Sequence, residues 1–194
     1  MQRSPGSTTR WAAVVVAVGT VFAATRAESA RDVAVDAERQ GNALAISAHA
    51  TIRAPLPLIW ATLTDYDHLA QFIPGMKRSR VVNRRGNTAV VEQTGEARLW
   101  VFHYPIAVVV ESVEHYPAII GVRVLAGNLR QLAGAYRIDT VAGAHDEFVL
   151  RWRGIIEPDI SLPLFLTAPE LRKAVAEQFL GMINEIERRH GAHE

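Results

Sequence analysis

Between Ser79 and Ile156 the chain repeats one pattern six times and then abandons it. The runs Ser79–Asn83, Thr88–Ala97, Leu99–Glu114, Ile119–Ala126, Leu129–Val141 and Phe148–Ile156 alternate apolar with polar residues, the period of a half-buried strand. Their separators are turn chemistry. Arg85-Gly86-Asn87, Gly127-Asn128 and Gly143-Ala144-His145-Asp146 supply residues that accept positive φ, as short hairpin loops demand. Sequential hairpins make an antiparallel meander. From Pro169 to Arg189 the period becomes helical, because Leu171, Val175, Phe179, Met182 and Ile186 fall on one stripe. Pro169 suits the first turn of that helix, Gly191 its end, and Arg188 and Arg189 the negative pole of its dipole.

Upstream, Leu44–Arg53 reads as one more strand, stopped by Pro55 and Pro57. Two short helices are predicted after it. The first is Leu58–Thr64, and the second, capped by Thr64-Asp65, runs through Leu69, Phe72 and Ile73 to Pro74-Gly75. The class is therefore α+β, with about seven strands in a curved antiparallel sheet around a long C-terminal helix and two short helices after the first strand.

A helix of roughly 20 residues is about 30 Å long and cannot fill the whole concavity of such a sheet. The space left opposite its N-terminal half is a cavity walled by the inward parity of each strand. Leu132, Gly134, Tyr136 and Ile138 oppose Arg137 and Asp139, while Phe148, Leu150, Trp152 and Gly154 oppose Glu147, Arg151 and Arg153. Ile120, Val122 and Val124 oppose Arg123, and Phe102, Tyr104 and Ile106 oppose His103. The interior is apolar and aromatic, with Gly134 and Gly154 making room. Gln93 shares a face with Val91, Gly95 and Ala97; turned inward it offers a donor and an acceptor to a ligand, or it is satisfied by neighbouring backbone. The candidate ligand-binding residues are Phe72, Gln93, Tyr104, Leu132, Tyr136, Trp152, Phe165, Leu171, Val175 and Phe179. The aromatic members serve equally as core. Ile160–Leu166, with Pro163, is an apolar loop before the long helix, read as a packed connection or as a lid or membrane-touching lip.

The chain has 194 residues, which at about 150 per domain implies one domain and an appendage. The appendage is the first 27 residues, which hold Arg3, Arg10 and Arg26 and no acid around the apolar run Trp11–Thr25. That is the pattern of a secretory signal peptide, with Ala23, Ala24 and Ala27 as cleavage points. The domain is expected outside the cytoplasm, secreted or periplasmic, or held at the inner membrane if the segment is not cut. Residues 28–43 are read as a linker and residues 44–190 as the folded domain. The balance of 21 Lys and Arg against 20 Asp and Glu becomes slightly acidic once the three arginines of the leader are removed, so no basic field invites nucleic acid.

Chemistry-bearing motifs are scarce. The seven histidines lack metal-ligand spacing, and no nucleophile elbow, phosphate loop or dinucleotide fingerprint occurs. Asp65-Tyr66-Asp67 is read as a helix cap facing water rather than an acid pair, so no residue is assigned a catalytic role and no metal is expected.

Several segments resemble the START-like (SRPBCC, helix-grip) superfamily, in particular its polyketide cyclase/dehydrase and coenzyme Q-binding branch. They are Ala54-Pro55-Leu56-Pro57-Leu58-Ile59-Trp60, the stretch from Leu63-Thr64-Asp65-Tyr66-Asp67-His68 to Phe72-Ile73-Pro74-Gly75, Val91-Glu92-Gln93-Thr94-Gly95, Ala126-Gly127-Asn128-Leu129 with Gly134, and Ile186-Glu187-Arg188-Arg189. The resemblance implies a helix-grip fold, a long apolar ligand and no redox cofactor. It leaves open a carrier of a lipid, quinone or polyketide-like molecule, a cyclase or dehydrase acting on a hydrophobic substrate in the same cavity, and a partner-binding module without ligand.

Overall fold

The computed structural model describes residues 33–99, 102–159 and 164–192. Their order is β1 (Ala34–Gln40), β2 (Ala43–Arg53), α1 (Leu56–Leu63), a 3-10 helix (Tyr66–Gln71), β3 (Met76–Arg85), β4 (Thr88–Leu99), β5 (Phe102–His115), β6 (Ile119–Gly127), β7 (Leu129–Thr140), β8 (Glu147–Pro158) and α2 (Leu164–Gly191). The eight strands form one antiparallel sheet in the order β1-β2-β8-β7-β6-β5-β4-β3. β3 to β8 are the expected meander, and β2 returns to pair with β8, for example Ile46 with Gly154. The sheet curves around α2 in a helix-grip arrangement.

The strand count is one more than expected, and the extra strand lies in the stretch read as a linker. β1 pairs with β2 through a tight turn in which Gly41 has φ of +63°. Its signal was present but short: Val33, Val35 and Ala37 alternate with Asp36 and Glu38 before Gly41-Asn42. The expected turn residues Gly86, Gly127, Gly143 and Asp146 do adopt positive φ. The C-terminal helix begins at Leu164, five residues before Pro169, so the end of the apolar segment read as a loop is its first turn. Residues 160–163 of that segment lie outside the described residues.

The core lies between the sheet and α2. Ile52 and Leu150 from the sheet, Ile59 from α1, and Ile183 and Ile186 from α2 are fully buried. Gly181 fixes where α2 crosses the connection into β3. A Cβ there would stand 2.5 Å from Pro74 Cδ and 2.6 Å from the Phe72 carbonyl oxygen, distances only a glycine permits.

Candidate functional site

The inward faces of β4 to β8, the 3-10 helix and the middle of α2 enclose two adjoining chambers of about 170 and 150 Å³. Together they reach the lower end of the range of roughly 300–1,000 Å³ found for small-molecule sites. The inner chamber lies beneath Tyr66, Leu69, Tyr136, Trp152, Phe179 and Met182. The outer one runs between Tyr104, Ile106, Leu129, Pro158, Leu171 and Ala174. Met76, Gln93, Leu132, Ile156, Val175 and Gln178 line both and form the waist between them.

Strand register explains these walls. Gln93 sits opposite Ser79 of β3 and Val108 of β5, so its side chain shares the concave face with buried Val91 and Ala97. Its Nε2 donates to the buried Ser79 hydroxyl at a long 3.5 Å. Tyr136 pairs with Trp152 across β7 and β8, and their rings lie 4.7 Å apart between centroids. The adjacent pair Gly134 and Gly154 leaves space for the indole. Tyr104 is a wall with a fixed hydroxyl, since its Oη donates to the Asn128 carbonyl at 2.8 Å and ties β5 to the turn between β6 and β7.

The site's electrostatics are those of an apolar container. Burial pushes the Tyr136 phenol up to about 12. Burial, followed by the charge of Asp159, also raises Tyr104. Tyr66 is raised further, by burial and then by the nearby Glu114 carboxylate, and its Oη is buried without a hydrogen-bond partner among the described residues. All three phenols therefore stay protonated and can donate but not act as bases near neutral pH. Glu96, at the edge of the outer chamber, is the one carboxylate among the described lining residues. A hydrogen bond from Lys77 holds its carboxyl below the ordinary value, and His103 stands 3.6 Å from it on the outward face. Among the described residues no three His, Asp or Glu side chains converge on a point that could hold a metal ion.

Of the ten residues selected from the sequence, Gln93, Tyr104, Leu132, Tyr136, Trp152, Leu171, Val175 and Phe179 line one chamber or both. Phe72 does not. Its carbonyl lies against Gly181, and its ring packs on the core with the Arg189 guanidinium 5.4 Å from its centroid. Phe165 falls in the first turn of α2, where side chains lie outside the described residues. Asp65 occupies the N-cap position of the 3-10 helix but makes no side-chain capping bond and pairs with Arg189 and His68 instead; Tyr66 is 5% exposed, and Asp67 is exposed and accepts from the Val81 amide at 2.7 Å. Of the waist residues, Met76, Ile156 and Gln178 are not among the ten. Gln178 lies three residues beyond Val175 on the helical stripe, and Met76 opens a strand that begins three residues before Ser79, where the alternation becomes clear.

An antiparallel sheet gripping one long C-terminal helix, with an apolar double chamber between them, is the helix-grip fold. The chain belongs to the family described as polyketide cyclase / dehydrase and lipid transport, whose profile matches residues 52–162. No curated protein sequence matches it. Among solved structures it is similar to the Zhui aromatase/cyclase from Streptomyces sp. R1128, with 14% identity, 76% of this chain and 95% of that one covered, and a TM-score of 0.64. A STAR-related lipid transfer protein from Xanthomonas axonopodis shares 11% identity, with 81% and 98% covered and a TM-score of 0.63. A START superfamily protein from Mycobacterium smegmatis shares 16%, with 77% and 99% covered and a TM-score of 0.57. At such identities the likeness is one of fold.

Proposed function

We propose that this chain is a binding or carrier domain for a hydrophobic small molecule, working outside the cytoplasm. The observation that carries the reading is the double chamber, walled by aliphatic and aromatic side chains and holding no committed acid–base pair among the described residues. Each ~100 Å² of apolar ligand surface withdrawn from water there contributes about 2.5 kcal/mol. Cyclisation or dehydration would require a group that takes up a proton near neutrality. The three phenols are held protonated, and Glu96 is engaged by Lys77 at the rim. Export is supported by the arginine-flanked apolar run in residues 1–27.

Native mass spectrometry on protein purified from its own compartment, followed by solvent extraction and lipid analysis, tests this. A stoichiometric apolar molecule on a chain lacking residues 1–27 is the expected result. An empty protein of clean mass that nevertheless turns over a polyketide-like substrate would overturn it in favour of an enzyme.

A further inference from the structure

Two glutamines line both chambers from opposite walls. Gln93 reaches the waist from β4 and Gln178 from α2, and the four residues that complete it, Met76, Leu132, Ile156 and Val175, are apolar. An amide turned toward aliphatic walls is costly unless it is paired. The contact of Gln93 with Ser79, at 3.5 Å, is at the outer limit of a hydrogen bond and uses one of its two N–H groups. An apolar ligand without a polar group would cover both amides and leave them dry.

We propose that Gln93 and Gln178 receive the carbonyl oxygen of an uncharged ligand whose apolar arms occupy the two chambers, a reading that rests on the carrier function proposed above. A carbonyl oxygen carries two lone pairs, and two amides on opposite walls supply one N–H each. The chambers are nearly equal, about 170 and 150 Å³, which places the carbonyl near the middle of the molecule rather than at its end. Charge is disfavoured at this point. A carboxylate would lose its water with no cation among the described lining residues to replace it, and the charged group nearest in the lining is the acid Glu96. An ammonium group would find only neutral amides, since Glu96 is held by Lys77.

The test is displacement of Nile red from the full-length protein by three medium-chain probes of equal length: a dialkyl ketone with a central carbonyl, the alkane, and the carboxylate at neutral pH. The ketone is expected to bind about tenfold more tightly than the alkane, a difference of 1.4 kcal/mol, and the carboxylate more weakly than the ketone. Gln93→Leu and Gln178→Leu should each reduce the ketone's advantage over the alkane at least about threefold, by loss of one neutral hydrogen bond to the ketone and by relief of an amide that the alkane leaves dry. The comparison on the unmodified protein stands even if a variant fails to fold. Equal affinity for ketone and alkane, or tightest binding of the carboxylate, would overturn the role of the waist while leaving the carrier reading intact. Failure of Nile red and every probe to bind would overturn both.

Discussion

The guanidinium of Arg189 donates from Nη2 to Oδ2 of Asp65 at 2.8 Å, joining the last turns of α2 to the start of the 3-10 helix that roofs the inner chamber. The same guanidinium donates from Nε to Glu185 at 2.7 Å and lies over the Phe72 ring. Arg188 also bonds Glu185, but its side chain is 67% exposed against 23% for Arg189. Charge-assisted bonds gain strength with shielding from water, and exposed pairs contribute little. Arg189→Met should cost about 2 kcal/mol in urea unfolding and Arg188→Met less than about 1 kcal/mol. Equal losses would mean that the bridge to Asp65 does not anchor the helix.

Glu185 predicts how the same cluster responds to acid. Hydrogen bonds from Arg188, and then from Arg189 against the opposing effect of burial, hold its carboxyl down at about 2. The folded value lies below the unfolded one, so its stabilisation is present above the ordinary carboxylate range and is lost as pH falls through about 2. Asp65 shifts in the same direction: burial, the largest single effect, would raise it, but the hydrogen bonds and charges of His68 and Arg189 together hold it down. Glu185→Gln should therefore be less stable than the unmodified protein by an amount on the order of 2 kcal/mol at neutral pH, with the gap closing near pH 2. Chemical denaturation across that range measures it, and a gap independent of pH would refute the assignment.

Periodicity carries long elements well and isolated contacts poorly. The meander and the α2 stripe were legible because each rests on many residues repeating one spacing, and eight of the ten selected side chains line the chambers for that reason. Phe72 was misjudged because parity has no meaning at the end of a 3-10 helix, where its direction follows from the approach of Gly181. The Asp65–Arg189 bridge spans 124 positions and leaves no local signature. Gln178 was readable in principle, yet a glutamine on a helix surface is ordinarily solvated, and only the facing sheet makes it a wall. β1 was overlooked because its polar residues outnumber the two apolar ones that turn inward, a usual property of an edge strand.

Gly134 and Gly154 face one another across β7 and β8, and the Trp152 indole occupies the space their missing side chains leave. A Cβ at Gly134 would lie 2.5 Å from the Arg153 carbonyl oxygen and 2.8 Å from Trp152 Cη2, while one at Gly154 would meet the indole at 2.7 Å and the Ala133 carbonyl oxygen at a less severe 2.9 Å. Backbone yields less readily than a side chain. Gly134→Ala should cost about 2–3 kcal/mol and Gly154→Ala about 1–2 kcal/mol, with both altering the near-ultraviolet dichroism of Trp152. An unchanged tryptophan signal in either variant would show that the indole is not seated in this gap.

The Tyr66 hydroxyl is buried with no hydrogen-bond partner among the described residues, although the ring itself is well packed and lies 5.7 Å beneath the Arg84 guanidinium. Removing an unpaired polar atom relieves a desolvation cost and keeps the packing. Tyr66→Phe should leave the unliganded protein equally stable or up to about 1 kcal/mol more stable by urea unfolding. A loss of about 1 kcal/mol or more would mean that the phenol is held by the neighbouring Ser112 hydroxyl or Glu114 carboxylate.

Val175 lies on the inner side of α2 at the waist and lines both chambers, so a large side chain there meets empty space before it meets a neighbour. Overpacking a filled core costs about 1–3 kcal/mol, but filling a void restores contacts that its walls lack. Val175→Trp should thus keep the fold, with thermal stability within a few degrees of the parent, while dividing the cavity in two. A ligand spanning both chambers would lose its path, and co-purifying apolar molecules should fall at least about tenfold, the equivalent of 1.4 kcal/mol. Solvent extraction of parent and variant purified side by side measures the difference. Undiminished ligand on a folded Val175→Trp protein would place the binding site elsewhere on the molecule.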